Sequence, residues 1–235
     1  MTAFTPFDGY PPTALQFLAD LQDNNDRDWF NAHKPTYLDA IVAPTQAFVT
    51  DLGLRLKAIS PDITFDTRAN GQGSMMRIYR DIRFSQDKSP YKTWVGVVFW
   101  EGPGKKMQVP SFYFHLEATG AFMYGGIYQF PKALLSTYRD ALVDVELGRE
   151  FDDAIVQVTA SGDYSLYNQP HYKRVPRGYE PEHPRAQWLK YNGFGVSSPH
   201  ISPDQFASPD LVDICYDHCR NMAPIQQWLV KLTRQ

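Results

Sequence analysis

Apolar residues recur every three or four positions over the first part of the chain, and this spacing predicts helices within residues 10–60. Asp26 stands where it can cap a short helix around Trp29 and Phe30. Four apolar residues then form one helical face: Phe48, Leu52, Leu56 and Ile59. The N-terminal quarter is therefore predicted to be helical.

After Gly71 the period changes to two, which is typical of strands. Between residues 74 and 84, apolar positions alternate with four polar ones: Arg77, Tyr79, Asp81 and Arg83. Residues 93–101 form a nearly continuous apolar strand. Residues 111–118 alternate again, and 121–128 give a fourth strand after the Thr119-Gly120 turn. Short connections favour antiparallel neighbours, so we expect one antiparallel sheet within residues 72–130.

Helical spacing returns after Pro131, interrupted by an irregular segment rich in Tyr, Pro and charge at residues 162–183. Ser208-Pro209-Asp210 predicts a helix start, and Pro224 predicts the start of a separate last helix. The fold class is α+β, with a central antiparallel sheet of about four or more strands flanked by N- and C-terminal helices. We expect a single domain over residues 1–235, divided into a helical part (10–60), a sheet (72–130) and helices with an irregular basic segment (131–235).

Charge is distributed unevenly along a slightly acidic chain. The formal net charge is −3, yet residues 77–106 hold seven basic and three acidic side chains, against four and nine in residues 1–66. A general nucleic-acid binder is more often clearly basic, so nucleic acid is an unlikely partner. The hydrophobic content of 43% supports a folded core.

Only two cysteines occur, and the first residues have neither the basic start nor the apolar run of a signal peptide. No apolar run is long enough to span a bilayer. We therefore expect a cytoplasmic protein without a membrane association. The sequence does not define its oligomeric state.

The polar faces of the two alternating strands carry the candidate chemistry. If the strands share a sheet and a face, seven side chains come together: Arg77, Tyr79, Asp81, Arg83, Tyr113, His115 and Glu117. The guanidiniums of such a pocket suit an anion, and the imidazole and carboxylates suit proton transfer. We take His115, Glu117 and Asp81 as candidate catalytic residues and the others as ligand-binding. A solvated face with cross-strand ion pairs explains the pattern equally well.

Two loops are candidates to complete this pocket. Ser89-Pro90 interrupts the strand, so Lys88 and Lys92 are expected to flank the site. Arg174 and Arg177 are expected to approach from the later basic loop. Arg80 differs from these cations because its neighbours two and four residues away are apolar, and we expect it to be mostly buried and paired with a carboxylate.

No motif predicts a metal or a cofactor. His115, Glu117 and Asp81 include metal-ligand types, but neighbouring arginines would repel a cation. Cys215, His218 and Cys219 share one helix face without the paired Cys-x-x-Cys spacing of zinc sites, so buried packing is the better interpretation.

Several blocks of the sequence resemble the domain-of-unknown-function family 2461. They are RIYRDIRFSQDKSPYK, LADLQDNNDRDWFNAHKPTY, FYFHLEATGAFMYGGIY and YKRVPRGYEPEHPRAQWLKYNGF, which together cover most of residues 15–195. The resemblance implies that the basic segment, the His-x-Glu strand and the later basic loop belong to one recurring domain. It implies no activity, substrate or cofactor.

Three functions remain open at this point. The first is binding of a small anionic ligand, phosphorylated or carboxylate, on a basic and aromatic sheet face, with or without catalysis. The second is a non-catalytic protein-interaction module, and the third is nucleic-acid binding through interleaved Tyr and Arg.

Overall fold

The N-terminal part is helical, as its spacing predicts. The computed structural model describes residues 5–166 and 169–234. Its first helices are α1 (Pro12–Asp23), α2 (Arg27–Ala32), α3 (Lys34–Thr36) and α4 (Ala43–Leu56), with a π-helical turn at Tyr37–Val42 before α4. The Asp26 carboxylate accepts hydrogen bonds from the backbone N–H groups of Asp28 and Trp29, which confirms the predicted cap of α2.

A six-stranded antiparallel sheet forms the centre of the described residues, which confirms the α+β class. Its strands are β1 (Ile63–Thr64), β2 (Trp94–Glu101), β3 (Ser111–Glu117), β4 (Gly120–Ile127), β5 (Ser165–Leu166) and β6 (Phe194–Ser197). Their spatial order is β1-β2-β3-β4-β6-β5. The three long strands follow one another in the chain, whereas β1, β5 and β6 lie outside the range 72–130 in which we expected the sheet.

The prediction of a long strand at residues 74–84 is wrong. Met75 forms a single bridge with Val97 on the edge of β2, after which the chain folds back on itself through a bridge between Tyr79 and Tyr91. We call residues 78–92 the edge hairpin. Strand alternation indicates extended backbone, but a strand also needs a neighbour, and β2 offers its edge only to residues 74–76.

Four helices follow the long strands: α5 (Lys132–Val143), α6 (Val145–Ala160), α7 (Pro203–Phe206) and α8 (Leu211–Thr233). The predicted break at Pro224 is wrong, because α8 continues through it. A proline inside a helix costs about 3 kcal/mol. Here Met222, Ile225 and Leu229 are buried on both sides of it, and this packing favours one continuous helix. No helix within the described ranges is long and apolar enough to cross a membrane.

The helices cover one face of the sheet, which we call the core face. Phe48 of α4 contacts Phe99 and Phe114, while Phe151 of α6 contacts Phe194. All of these side chains are buried. The opposite face, which we call the open face, presents the alternate residues of the same strands, and its large side chains are only partly buried: Trp94, Trp100, Tyr113, His115, Phe122 and Tyr124.

Burial on the core face predicts a much larger effect of a Phe→Ala substitution there than at an exposed phenylalanine outside the sheet. Phe114→Ala should lower the free energy of unfolding by about 3–5 kcal/mol, because it leaves a cavity beside Phe48 and Tyr10. Phe84→Ala is the matched control, since Phe84 is 97% exposed in the edge hairpin, and it should change stability by less than about 0.5 kcal/mol. Urea denaturation measures both; equal costs would contradict the assignment of the core face.

Candidate functional site

Three rings from three neighbouring strands form a row across the open face, which we call the aromatic row. Trp94 of β2 lies 5.0 Å from His115 of β3 between ring centroids, and His115 lies 4.8 Å from Phe122 of β4. His115 and Phe122 are direct cross-strand partners, whereas Trp94 reaches His115 diagonally. The row therefore holds the imidazole between two larger rings, and only 15% of the His115 side chain is exposed.

Gly96 makes this arrangement possible, because it is the residue of β2 that faces His115. A Cβ atom at Gly96 would lie 2.7 Å from the Trp94 ring and 2.9 Å from the Tyr113 phenol oxygen. Both side chains lean over the bare backbone of this glycine. A larger residue here would push the rings apart.

Tyr113 and His115 form a hydrogen-bonded pair within the open face. The Tyr113 Oη–His115 Nδ1 distance is 2.9 Å, and the phenol donates when the imidazole carries its proton on Nε2. His115 Nε2 lies 3.7 Å from the Glu117 carboxylate. Burial lowers the pKa of His115, an effect that Glu117 partly opposes, and burial raises the pKa of Tyr113. At neutral pH the pair is an uncharged imidazole beside a protonated phenol.

Two cations stand at the end of the aromatic row. The Lys92 ammonium lies 4.7 Å from the centroid of the Trp94 ring and donates a hydrogen bond of 2.9 Å to the backbone carbonyl of Arg77. Burial lowers the pKa of Lys92, and the adjacent Arg77 lowers it further. Arg77 is exposed, and its guanidinium forms no ion pair with any described residue. This positive charge is therefore not neutralised by a contacting carboxylate.

Lys106 repeats the lysine–tryptophan contact at the other end of β2. Its ammonium lies 5.3 Å from the Trp100 ring centroid and donates to the backbone carbonyls of Gly71, Gln72 and Gly73. Lys106 thus stabilises the loop at residues 71–73, which precedes the basic segment that begins at Arg77. The sequence analysis did not identify Lys106; Trp94 and Trp100, six residues apart on one face of β2, are the signal that could have suggested its contact.

Five of the predicted site residues lie on or beside the open face: Arg77, Lys92, Tyr113, His115 and Glu117. Asp81 and Arg83 instead pair with each other in the edge hairpin, at 2.6 Å, and the hydrogen bonds from Arg83 lower the pKa of Asp81 to about 2. Lys88 donates to the carbonyl of Ile82 in the same turn, at 3.0 Å. Tyr79 is 54% exposed and contacts Tyr91.

Arg174 and Arg177 belong to a different part of the molecule. Their loop is held at Lys190 through the backbone N–H of Tyr172, and at Asp140 of α5 through the Tyr179 phenol. Both arginines are exposed, and neither contacts the aromatic row within the described residues. Strands β3 and β4 separate β2 from β6, so the edge hairpin and this loop flank opposite sides of the sheet.

Arg80 is only partly buried, with 28% of its side chain exposed. It pairs with the carboxylate of Asp87, as expected, but that partner is in the same hairpin and is itself 59% exposed. Arg80 is thus mostly covered and paired, as expected, but within the edge hairpin and not on the core side, because its apolar neighbours do not form a strand that faces the core: Phe84 is almost fully exposed.

The described residues contain no group of three or more His, Cys, Asp and Glu side chains that could hold a metal ion. Cys215 and Cys219 are fully buried, and burial raises the pKa of both thiols. His218 is directed to Tyr164, with a His218 Nδ1–Tyr164 Oη distance of 2.8 Å. This helix face therefore serves packing.

The fold and the site together define an α+β protein whose antiparallel sheet has helices on one face and a partly buried aromatic and basic surface on the other. The chain belongs to the family described as conserved hypothetical protein (DUF2461), whose model matches residues 13–228. This match includes much of α8 as well as the blocks that resemble the family in sequence. No curated protein matches the chain.

The lowered pKa of His115 predicts a pH dependence of stability. In the unfolded chain the pKa of His115 returns to about 6.5. At pH values between the lower folded pKa and this value, the unfolded chain therefore binds more protons than the folded chain. The free energy of unfolding should therefore fall as pH falls through this window and level off below the folded pKa. His115→Gln should remove the contribution of His115 to this pH dependence of the unfolding free energy. Urea denaturation from about pH 5 to about pH 7.5 measures it.

His218, whose pKa is also lowered by burial, provides the comparison. His218→Gln should remove a separate contribution to the pH dependence of the unfolding free energy, and the double variant should remove both contributions. An unchanged slope in His115→Gln would contradict the buried, neutral imidazole.

Because the carboxylate that pairs with Arg80 is exposed, we expect that replacing Arg80 costs little stability. Arg80→Met should lower the free energy of unfolding by no more than about 1 kcal/mol, because an ion pair in contact with solvent contributes little. Chemical denaturation tests this value, with Asp87→Asn as the reciprocal variant. A loss of several kcal/mol would indicate that Arg80 neutralises a buried charge after all.

Proposed function

We propose that this protein binds a small anionic ligand, phosphorylated or carboxylate, at the end of the aromatic row. The observation that carries the proposal is the pair of adjacent cations, Arg77 and Lys92, at the Trp94 end of the aromatic row. Trp94 connects them to His115, and no helix of the described residues covers this face. Burial lowers the pKa of Lys92, and the nearby positive charge of Arg77 lowers it further. A bound oxyanion would relieve this repulsion and accept charge-assisted hydrogen bonds.

The surrounding rings support this proposal by excluding water. Trp94 lies under the Lys92 ammonium, so one side of that cation is already desolvated. Electrostatic interactions are stronger where water is excluded, and an anion at this position would gain more than at a fully solvated lysine. Arg77 adds the planar fork that suits phosphate or carboxylate oxygens.

Tyr113 and His115 supply neutral polar groups for the remainder of the ligand. The imidazole is held in place by its ring neighbours and by the phenol, so it presents one fixed orientation. A neutral imidazole near neutral pH is also suited to accept a proton, and this would extend the function from binding to acid–base catalysis. The binding step is the part that we propose.

Titration calorimetry at low salt tests the site directly with nucleotides, sugar phosphates and polycarboxylates. Arg77→Ala should weaken binding roughly tenfold or more, because a hydrogen bond to a charged group contributes about 1.5–3 kcal/mol. His115→Ala should also weaken it. Arg83→Ala is the matched control: the Arg83 guanidinium lies in the neighbouring edge hairpin and pairs with Asp81, so affinity should stay unchanged.

Two results would refute the proposal. One is the absence of binding by any of these anions at low salt, where such contacts are strongest. The other is an equal loss in Arg83→Ala and Arg77→Ala, which would indicate a general effect of net charge.

A specific observation favours an interaction module as the second candidate function. Phe84 and Tyr79 are exposed on the edge hairpin, at 97% and 54%, and exposed aromatic side chains are frequent in protein–protein contacts. Phe84→Ser should then abolish capture of a partner protein while leaving anion binding intact. Tight binding of single-stranded nucleic acid in preference to small anions would instead support the third function.

We further infer that the protein works in the cytoplasm. The supporting observation is that Cys215 and Cys219 are free and buried, which fits a reducing compartment. Cell fractionation with an antibody against the chain would test the location.

A further inference from the structure

The turn that precedes the basic segment contains an Asn-Gly pair, Asn70-Gly71, at the surface of the protein. The Asn70 side chain is exposed, and Gly71 has a φ of +81°. Asn70 Oδ1 accepts a hydrogen bond of 2.9 Å from the backbone N–H of Gln72. This bond holds the side-chain amide of Asn70 beside the Gly71 peptide and polarises its carbonyl group. Glycine has no side chain to shield its own backbone nitrogen, so the Gly71 nitrogen is accessible to Asn70 Cγ.

The peptide bond between Asn70 and Gly71 is not held by hydrogen bonds. Among residues 5–166 and 169–234, none involves the Asn70 carbonyl or the Gly71 N–H. The Lys106 ammonium binds the carbonyls of residues 71–73, so it fixes the chain after this peptide and brings a positive charge close to it. A positive charge favours loss of the Gly71 N–H proton and stabilises the oxyanion that forms when this nitrogen attacks Asn70 Cγ.

The chain contains a second Asn-Gly pair, Asn192-Gly193, in a different environment. Asn192 is half-buried, and its backbone carbonyl accepts a hydrogen bond of 2.8 Å from the N–H of Phe130. Gly193 is buried against the Tyr128 carbonyl, since a Cβ atom at Gly193 would lie 2.1 Å from that oxygen. The backbone at this pair therefore has little room to rearrange. The same dipeptide is exposed and unrestrained at one place in the fold and packed and hydrogen-bonded at the other.

We propose that Asn70 is a site of spontaneous deamidation, with water as the co-reactant. The Gly71 nitrogen forms a bond to Asn70 Cγ, and the bond from Cγ to the side-chain nitrogen breaks. Ammonia leaves with the proton that the Gly71 nitrogen gives up, and a succinimide ring remains. Water then adds its hydroxyl to one of the two ring carbonyls and a proton to the ring nitrogen, which gives aspartate or isoaspartate at position 70.

The new carboxylate would lie near Arg77. Gly71 packs on Arg77, because a Cβ atom at Gly71 would lie 3.2 Å from Arg77 Cβ. Charges about 10 Å apart or closer interact at moderate salt, so a carboxylate at position 70 would compete with an anionic ligand for the Arg77 guanidinium. Deamidation would thus weaken anion binding with time. This consequence rests on the proposed function, whereas the deamidation itself does not.

Peptide mass spectrometry tests the proposal after incubation of the full-length protein in mildly alkaline buffer, where the Gly71 nitrogen loses its proton more readily. In the folded protein, the side-chain NH₂ of Asn70 should be replaced by OH, with aspartate and isoaspartate both present, while Asn192 stays intact. In guanidinium chloride both pairs should react at similar rates, because unfolding removes the packing around Gly193. Asn70→Gln is the matched control: it keeps an amide but needs a larger ring, so position 70 should stay unmodified.

Equal loss of the amide at Asn70 and Asn192 in the folded protein, or no loss at Asn70, would overturn the proposal. Aspartate without isoaspartate at position 70 would overturn it as well, because direct hydrolysis without a ring gives aspartate alone. Calorimetry of Asn70→Asp tests the consequence separately: it should bind anions more weakly than the wild type, and equal binding would contradict the effect on Arg77. Failure of the wild type to bind any anion would refute the proposed function and leave the mass-spectrometric result unaffected.

Discussion

Within residues 5–166 and 169–234, helices pack on one face of the sheet and leave the other open, and the rest of the structure depends on this constraint. The core face is sealed by aromatic contacts such as Phe48 with Phe114 and Phe151 with Phe194. The open face receives no such layer, so the side chains of the strands must cover their own backbone. The aromatic row does this with rings that lie against each other across three strands, and Gly96 gives Trp94 and Tyr113 the room to lean over.

The same constraint explains the electrostatics of the open face. Side chains on the open face are partly buried but do not enter a hydrophobic core. Partial burial lowers the pKa values of His115 and Lys92, while both side chains remain within reach of solvent. Lys92 and Lys106 have a structural role as well, because each lies on a tryptophan of β2 and binds backbone carbonyls of residues 71–77. The Arg77 guanidinium forms no ion pair among the described residues, although its positive charge helps to lower the pKa of Asp81.

The basic residues therefore lie in three places that differ in how their charges are paired and exposed to solvent. In the edge hairpin, Arg80 and Arg83 pair locally with Asp87 and Asp81, and solvent weakens both pairs. Beside the aromatic row, Arg77 and Lys92 lack such partners. Across the sheet, Arg139 of α5 is partly buried against the Tyr172 ring, and its buried Nη2 has no hydrogen-bond acceptor among the described residues. Charges that a fold leaves unpaired are the ones available to a ligand.

Local pattern in the sequence determined which side chains of β3 share a face, because alternation within one strand follows from backbone geometry alone. Tyr113, His115 and Glu117 could thus be predicted together, as could the helical N-terminus and the α+β class. Tertiary structure decided the rest. Residues 74–84 alternate like a strand, yet β2 pairs with only three of them. Pro224 lies within a continuous helix, which the buried neighbours on both sides of it favour. Whether Arg80, Arg77 or Arg139 finds a carboxylate depends on residues brought close in space, which no period along the chain encodes.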